Sequence, residues 1–279
     1  MTAVRRRLDS ELVRRCIAPS RTAAAALIDE GRVHVGGAIA SKSSRLVAPS
    51  EAVYLSGEPQ RFVSRGGYKL DAALDAFGID VEDRRALDAG ASTGGFVDCL
   101  LQRGAGEVIA VDVGWGQLDA RLRADERVIV RERCNIRDLG AQDIGSEVDI
   151  VTADLSFISL RTVMPNLAAC AKPTSEAVLL VKPQFEAGKR EASRGKGVVR
   201  DPAVWRRVLD DVVVSASEHG LGPAGITISP LRGAAGNVEF LLFCRRRAEV
   251  AVAATLRDAD VADVVRLAAD ETEATRRQP

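Results

Sequence analysis

The stretch from Ala86 to Phe96 reads Ala-Leu-Asp-Ala-Gly-Ala-Ser-Thr-Gly-Gly-Phe, which predicts a strand, a glycine turn and a helix in succession. A short apolar run ends at Asp88, three glycines follow it, and an amphipathic helical pattern begins at Phe96. Glycines let a backbone approach a ligand closely, and a helix N-terminus offers unpaired N–H groups. The spacing differs from the G-x-G-x-x-G of dinucleotide binding. By itself the pattern fits a ligand turn and an ordinary strand-to-helix turn equally well.

Around this turn, strands and helices alternate regularly from Arg84 onward, which predicts a doubly wound α/β domain with a mostly parallel, seven-stranded sheet of the Rossmann type. Polar, glycine-rich residues from Gln184 to Val199 predict a mobile loop, and Glu249 to Ala274 predicts a polar helix pair or one frayed helix. The predicted strands are 85–89, 107–113, 128–131, 148–153, 176–182, 225–229 and 238–244. The predicted helices are 95–103, 117–124, 159–171 and 202–219.

Composition narrows the class of protein. The chain has 279 residues, of which 46% are hydrophobic and 28% charged, and this balance is typical of a soluble globular protein. It contains neither an apolar run of membrane-spanning length nor a signal-peptide pattern, so we expect a cytoplasmic protein without a membrane partner. The five cysteines are scattered and accompany only two histidines, which argues against a metal site.

Charge is distributed unevenly along the chain. Residues 1–48 carry nine basic and four acidic side chains, although the net charge of the whole chain is zero. This excess indicates an anionic partner at the N-terminal end. Lysine is rare, with six among 39 basic residues. In such a chain a lysine is the exception, and lysine can lose its proton inside a protein whereas arginine effectively cannot.

The N-terminal residues predict a helix over 5–15, a second over 22–30, a hairpin at 33–38 and a strand at 52–55. The pattern from Arg7-Leu-Asp through Ser20-Arg21 and Gly36-Gly37 to Lys42 resembles the S4 RNA-binding domain, a small α+β unit. Any one of its arginines is also explained as a solvated surface charge, but the whole pattern favours folded RNA. We expect an S4-like domain at 1–58, a linker at 59–63 and the catalytic domain at 64–279. The resemblance implies an RNA-binding face that includes Arg5, Arg7, Arg21, Arg32 and Lys42.

The glycine turn, taken with Asp112 at the end of the next strand, resembles motif I of S-adenosylmethionine (SAM) methyltransferases. A carboxylate at that position can bind both hydroxyls of an adenosine ribose, as in nicotinamide-binding folds. Asn135, after the third strand, is a candidate for the adenine. The resemblance implies that the amino-acid end of SAM lies against Asp88, Gly90, Ala91, Ser92 and Gly94.

Four further residues carry chemistry, namely Lys69, Asp154, Lys182 and Glu239. Asp154 and Lys182 end two predicted parallel strands, whose carboxyl ends converge on one crevice. The set resembles the Lys-Asp-Lys-Glu tetrad of FtsJ-type 2′-O-ribose methyltransferases. Blocks such as Val181-Lys-Pro-Gln-Phe185 and Gly197-Val-Val-Arg-Asp-Pro202 are similar to the TlyA family, which joins an S4 domain to such an enzyme.

The TlyA resemblance implies methylation of cytidine 2′-oxygens in 16S and 23S ribosomal RNA, within the 30S and 50S subunits, by a monomer. It also implies susceptibility to capreomycin and viomycin. Arg65 and Phe157 are further candidates for RNA contact, with Phe157 either stacking on the target base or packing in the core. Members are often called hemolysins. A membrane-active hemolysin and a catalytically inactive RNA-binding protein are therefore the alternatives.

Lys182 is expected to draw the proton from the ribose hydroxyl, oriented by Asp154, while Glu239 holds Lys69 or the ribose. Burial and the nearby charge of Lys69 are expected to favour a neutral Lys182. Two alternatives remain open at this point. The lysines could act only as fixed charges that stabilise the oxyanion, or Lys182 and Asp154 could form a purely structural ion pair.

Overall fold

The computed structural model describes residues 5–18, 20–57, 60–188, 191, 197–233, 236–246 and 256–277. The chain separates into two units, Met1–Arg61 and Phe62–Pro279. The domain limits expected from the sequence, with a linker at 59–63, remain a prediction, and residues 58 and 59 lie outside the described residues.

The first unit places two helices beside two small antiparallel sheets, one of order β1-β4 and one of order β3-β2-β5. Ser20 caps the second helix, because its hydroxyl accepts a hydrogen bond from the Ala23 N–H at 3.1 Å. Apolar side chains from both helices and from the strand after them form the core. The elements are β1 (Arg6–Arg7), α1 (Leu8–Arg14), α2 (Arg21–Asp29), β2 (Val33–Val35), β3 (Ala38–Ile39), β4 (Leu46–Val47) and β5 (Val53–Leu55).

The start of the first helix differs from the sequence expectation. A helix over 5–15 was expected, but α1 begins at Leu8 and the two residues before it form β1. The reason is tertiary: Arg6 and Arg7 pair antiparallel with Val47 and Leu46, and the Leu8 N–H donates to the Arg45 carbonyl at 2.7 Å.

The second unit is built on a seven-stranded sheet of order β11-β12-β10-β9-β6-β7-β8. Strands β8, β7, β6, β9 and β10 run parallel, and β12 runs antiparallel to both of its neighbours. The predicted mostly parallel α/β sheet is confirmed. Its strands are β6 (Arg85–Ala89), β7 (Glu107–Asp112), β8 (Val128–Glu132), β9 (Val148–Ala153), β10 (Ala171–Val181), β11 (Leu221–Ile228) and β12 (Phe240–Arg246).

Helices cover both faces of this sheet. One buried cluster joins it to α6, α8 and α9, and a second joins it to α3, α4 and α5. Among the described residues, no helix has both the length and the apolar character needed to cross a bilayer. The helices are α3 (Gly66–Phe77), α4 (Gly95–Gln102), α5 (Ala120–Arg123), α6 (Leu160–Cys170), α7 (Pro183–Glu186), α8 (Pro202–Glu218) and α9 (Asp258–Arg277), with 3₁₀ turns at Ile136–Asp138 and Ala141–Ile144.

Several elements of this unit have limits that differ from the predicted ones; β11, for example, begins at Leu221 and not at residue 225. The helix expected over 117–124 is only α5, because the Asp119 side chain accepts from the Arg121 N–H and starts the helix there. Strand β10 begins earlier than expected, with an irregular register between Ala171 and Glu176. The predicted loop of residues 184–199 begins inside helix α7, and its residues 189, 190 and 192–196 lie outside the described residues. The C-terminal region forms the single helix α9, and residues 249–255 of that prediction are likewise outside.

Candidate active site

The first ion pair of the site forms where two neighbouring parallel strands end. Asp154 follows β9 and Lys182 follows β10, and the Lys182 Nζ lies 2.5 Å from the Asp154 Oδ1. The same Nζ donates to the Ser156 Oγ at 3.1 Å. Strand order alone brings these groups together, since β9 and β10 are adjacent and parallel. The predicted convergence at this sheet edge is therefore observed, and Ser156 joins it as a contact that the sequence analysis missed.

Both residues of the first ion pair line a cavity with a volume of about 380 Å³, and a second ion pair lies on the same cavity. The Lys69 Nζ, from α3, lies 2.5 Å from the Glu239 Oε2, and both side chains are buried. Glu239 reaches this edge because the next residue, Phe240, pairs antiparallel with Val181 beside Lys182. All four residues of the set line one cavity. Each lysine faces a carboxylate. The negative charge of Glu239 therefore offsets the positive charge of Lys69, which was expected to act on Lys182.

A second cavity of about 590 Å³ adjoins the first. Asp112 lines it, and its two carboxylate oxygens accept from the Ser92 N–H at 2.8 Å and the Gly114 N–H at 2.6 Å. A carboxylate offers about four acceptor positions, so it retains capacity for further donors. Asn135 also lines this cavity. The two cavities share the residues Gly90, Ser92, Asp154, Ser156 and Phe157.

The walls of the larger cavity match a nucleoside. Apolar side chains supply much of the lining, while Asp112 and Asn135 supply a carboxylate and an amide. A ligand that spans both cavities would pass over the glycine turn, where two of the shared residues, Gly90 and Ser92, lie. The apolar and polar groups therefore fit adenosine with an extension toward the lysines.

Two glycines of the turn are required by packing. Gly90 has φ +89°, and a Cβ there would lie 2.6 Å from the Asp154 carbonyl oxygen. Gly94 has φ +98°, and a Cβ there would lie 2.3 Å from the Leu122 Cδ1. Gly94, assigned from the sequence to the amino-acid end of a cofactor, is absent from the lining of either cavity, whereas Gly90, Ala91 and Ser92 line the smaller one. Gly94 thus shapes the turn against α5.

Asp88 is a carboxyl group of the site with a hydrogen bond to only one of its two oxygens. Its side chain is completely buried, and its Oδ1 accepts from the Thr152 Oγ1 at 2.9 Å. Its Oδ2 has no hydrogen-bond partner, although the residue lines the cavity of the lysines. Burial raises the pKa of Asp88 to about 8, and the carboxylates of Asp154 and Asp112 add to the effect while the Thr152 hydrogen bond opposes it.

Aromatic side chains stand at the rim. Phe157 lines both cavities, is 91% exposed and has φ +64°, a conformation unusual for a bulky residue. Its ring centroid lies 5.1 Å from that of Phe185. The core alternative for Phe157 is therefore wrong. Trp115 is 69% exposed and does not line either cavity, and the Arg133 guanidinium lies 5.1 Å from its ring.

Glu186 was also missed, although it directly follows the Lys-Pro-Gln-Phe block. Its buried carboxylate accepts from the Ser159 Oγ at 2.5 Å and the Leu160 N–H at 2.6 Å. It therefore ties the turn after Lys182 to the N-terminus of α6, close in sequence to Phe157. The signal that could have found it is its position in the sequence, directly after a block that contains a chemistry-bearing residue.

In the S4-like unit, the basic residues have different surroundings. Arg7 and Arg21 both donate to the buried carboxylate of Asp9, at 2.8 and 2.9 Å. The hydrogen bond from Arg7 is the main reason why the pKa of Asp9 lies well below its usual range, and the hydrogen bond from Arg21 adds to the effect. Each arginine still exposes about half of its side chain. Part of the predicted basic face therefore also stabilises the fold.

The other members of the predicted basic face, and Arg65, can be placed as well. The Arg5 guanidinium lies 3.5 Å from the Glu51 carboxylate, and the Arg32 Nε donates to the Ser56 carbonyl at 3.3 Å. Lys42 is exposed. Arg65 belongs to the second unit, where it lines the cavity of the lysines. The described residues include no cluster of His, Cys, Asp or Glu suited to a metal ion.

Comparison with known families agrees with this architecture. Residues 62–246 match the FtsJ-like methyltransferase family, and residues 6–53 match the S4 domain. The chain is 49% identical over 253 residues to a protein of Mycobacterium tuberculosis named 16S/23S rRNA (cytidine-2′-O)-methyltransferase TlyA, a match that covers 90% of this chain and 94% of the relative. The chain therefore belongs to the FtsJ-like methyltransferases and, within them, to the TlyA family.

Two further similarities concern proteins with a hemolysin name. Hemolysin A of Brachyspira hyodysenteriae is 36% identical over 236 residues, which cover 84% of this chain and 98% of the relative. A solved protein of Streptococcus thermophilus with a provisional hemolysin name is 35% identical and superposes with a TM-score of 0.78, covering 98% of this chain and 99% of that one. Both similarities extend over the two units.

Proposed function

We propose that this chain transfers the methyl group of SAM to the 2′-oxygen of cytidine riboses in 16S ribosomal RNA, 23S ribosomal RNA or both. The observation that carries the proposal is the pair of lysine–carboxylate contacts on a cavity that adjoins a nucleoside-sized one. The activity in the name of the Mycobacterium tuberculosis relative supports the same reaction.

The cofactor would occupy both cavities. SAM supplies an electrophilic methyl group bound to a sulfonium. Asp112 would bind its ribose hydroxyls and Asn135 its adenine. Asp88 and the turn of Gly90, Ala91 and Ser92 would hold its amino-acid end, with Gly94 shaping that turn.

Lys182 would take the proton of the ribose hydroxyl, which is a poor nucleophile until that proton is drawn away. In this role its Nζ accepts the proton on its lone pair, and the Asp154 carboxylate at 2.5 Å orients it. Glu239 would hold Lys69 in place beside the reacting oxygen. In the competing role, the two lysines act only as fixed positive charges that stabilise the developing oxyanion.

The RNA would be bound by both units. Arg5, Arg7, Arg21, Arg32 and Lys42 would contact phosphates of folded RNA, as S4 domains do. Arg65 and Phe157 would meet the target nucleotide at the cavity, where the exposed Phe157 ring offers a face for base stacking. We expect the chain to act as a monomer in the cytoplasm on the 30S and 50S subunits.

Substitution of Lys42 gives the cleanest test of electrostatic docking, because Arg7 and Arg21 also stabilise Asp9. We expect Lys42→Gln to weaken RNA binding and to reduce the slope of log affinity against log salt by about 0.7–0.9, the effect of one lost phosphate contact. Filter binding of ribosomal RNA at several salt concentrations measures this slope. Arg266→Gln removes the same charge from an exposed site on α9 and is expected to leave it unchanged. Equal slopes for the parent and Lys42→Gln would remove this residue from the RNA face.

A methyl-transfer assay tests the function as a whole. Purified protein is incubated with radiolabelled SAM and unmethylated 30S or 50S subunits, and nuclease digestion locates the labelled nucleoside. We expect label in 2′-O-methylcytidine. SAM binding without transfer, together with RNA binding, would identify an inactive RNA-binding protein. Lysis of erythrocytes by the purified chain, without any transfer, would instead support the hemolysin alternative.

A further inference from the structure

Arg232 is a further cation on the cavity of the lysines. It comes after strand β11 and lines that cavity together with Lys69, Lys182 and Arg65. Each of the two lysines lies 2.5 Å from a carboxylate, whereas the carboxylate described beside Arg232, that of Glu271, is 3.8 Å away and 59% exposed. An ion pair with so exposed a partner neutralises little charge. Among the described residues, Arg232 therefore keeps more of its positive charge than either lysine does.

The backbone next to Arg232 is fixed against the site. The Gly233 N–H donates to the carbonyl of the buried Asn237 at 2.9 Å. A Cβ at Gly233 would collide with the carboxylate of Glu239, so glycine is what allows the backbone to approach that side chain so closely. Glu239 is the partner of Lys69. The loop therefore holds Arg232 one residue away from this ion pair.

Helix α9 holds the side chain of Arg232. The Arg232 Nη1 donates to the Thr272 Oγ1 at 3.2 Å, and the Thr272 hydroxyl in turn donates to the Ala268 carbonyl at 2.7 Å. The hydroxyl proton is thus committed to the helix, and the oxygen faces the guanidinium as an acceptor. Ala268 is completely buried and lies one turn before Thr272 on the same face, so the hydroxyl is anchored on the core. The match to the FtsJ-like family ends at residue 246, before this helix.

An RNA substrate would bring a phosphate to this position. The 2′-oxygen and the 3′-phosphate are carried by neighbouring carbons of one ribose, so a ribose whose 2′-oxygen meets Lys182 has its own phosphate beside the same cavity. Arg232 lines this cavity and exposes 33% of its side chain. A guanidinium has five N–H donors, of which Thr272 takes one, and its planar fork matches two phosphate oxygens.

We infer that Arg232 binds the phosphate on the 3′-carbon of the target ribose, and that α9 positions Arg232 for this contact through the Thr272 hydroxyl. The inference rests on the proposed function and adds a phosphate-binding residue and a positioning residue to it. The contact holds the ribose so that its 2′-oxygen lies beside Lys182. The guanidinium also offsets the negative charge of the phosphate next to the methyl acceptor.

Arg232→Gln in the full-length chain tests the phosphate contact. Filter binding to unmethylated 30S or 50S subunits at several salt concentrations should give a slope of log affinity against log salt that is lower by about 0.7–0.9, the effect of one lost phosphate contact. Arg266→Gln, the charge-matched control on α9, should keep the parent's slope. Calorimetry should find the affinity for S-adenosylhomocysteine unchanged. An unchanged slope would overturn the inference, and weaker binding of S-adenosylhomocysteine with that slope would assign Arg232 to the carboxylate of the cofactor.

Thr272→Val tests the positioning role, because it keeps the shape of the side chain and removes the acceptor. Single-turnover methyl transfer at saturating subunits should be about three- to tenfold slower than in the parent, as for one lost hydrogen bond to a charged group at a half-exposed site. Thr272→Ser keeps the hydroxyl and should keep the parent's rate. Thr275→Val is the matched control, because the exposed Thr275 hydroxyl donates to a carbonyl of the same helix at 2.9 Å.

The double variant separates positioning from a general effect on the fold. In the Arg232→Gln background, Thr272→Val should cause no further loss of rate, because the group that it positions is gone. A full further loss would overturn the positioning role. The Thr272 variants also test the contact if Arg232→Gln does not fold, since parent rates in Thr272→Val would refute it. These results would leave the proposed methyl transfer intact, whereas a parent protein that transfers no methyl group would contradict the proposed function itself.

Discussion

Replacement of Lys182 by arginine is expected to inactivate the protein nearly as completely as replacement by alanine. Arginine keeps a positive charge beside Asp154 but cannot give up its proton at accessible pH. If Lys182 accepts the ribose proton, both variants should lose about 10²- to 10⁴-fold in methyl-transfer rate, the usual effect of a missing general base. Single-turnover transfer of radiolabelled methyl groups to ribosomal subunits measures this rate, and calorimetry should find cofactor affinity little changed.

Lys172 provides a matched control for this experiment. It is also a lysine in an ion pair, 2.7 Å from Asp149, but it lies at the opposite end of β10 from Lys182. Lys172→Arg should therefore keep the parent's rate. Substantial activity in Lys182→Arg would show that the lysine acts as a fixed charge, and stabilisation of the oxyanion would replace general-base catalysis.

Replacement of Asp112 by alanine is expected to weaken SAM binding by about 2–3 kcal/mol, or about 30- to 150-fold in Kd. The loss combines the ribose contact with the two N–H groups of Ser92 and Gly114, which the carboxylate holds in place along the cavity. Isothermal calorimetry with SAM measures the affinity, and circular dichroism checks that the fold is retained.

Glu132 distinguishes ribose binding from loop support. It ends the neighbouring strand β8, and its carboxylate accepts from the Gly116 N–H at 2.8 Å, so it supports a loop in the same way. It does not belong to the lining of the larger cavity. Glu132→Ala should therefore cost much less SAM affinity than Asp112→Ala. Equal losses in the two variants, or parent affinity in a folded Asp112→Ala protein, would exclude Asp112 as the ribose contact.

Much of the site follows from local signals. Strands of a parallel sheet end at one edge, so the positions of Asp154 and Lys182 after two apolar runs were enough to predict their meeting. The regular alternation of strand and helix patterns likewise predicted the mostly parallel sheet of the second unit. Two errors have different causes. Asp119 shortens α5 by capping it, which is a local effect. Arg6 and Arg7 leave the first helix for a strand because they pair with Val47 and Leu46, which are distant in the chain.

Other features depend on partners that are distant in the chain. The sequence indicated that Glu239 would hold either Lys69 or the ribose, and the fold pairs it with Lys69 across 170 positions. The sequence also left Phe157 between base stacking and the core, and its exposure excludes the core. Gly94, whose contact with a cofactor stays a prediction, has φ +98°, and a Cβ there would also lie 2.3 Å from the Leu122 Cδ1, which only the fold brings beside it.

The α/β class and the S4-like unit could be predicted from the sequence, because they depend on periodicity and on strand ends, which are local; the chemistry-bearing residues stay a prediction. Only the tertiary structure decided which charges are paired. Whether a carboxylate faces a cation, a backbone N–H or nothing depends on groups tens of residues away and on the exclusion of water around them. Asp88 is the clearest example: its position near the end of a strand is visible in the sequence, but its burial and its hydrogen bond from Thr152 depend on the folded sheet.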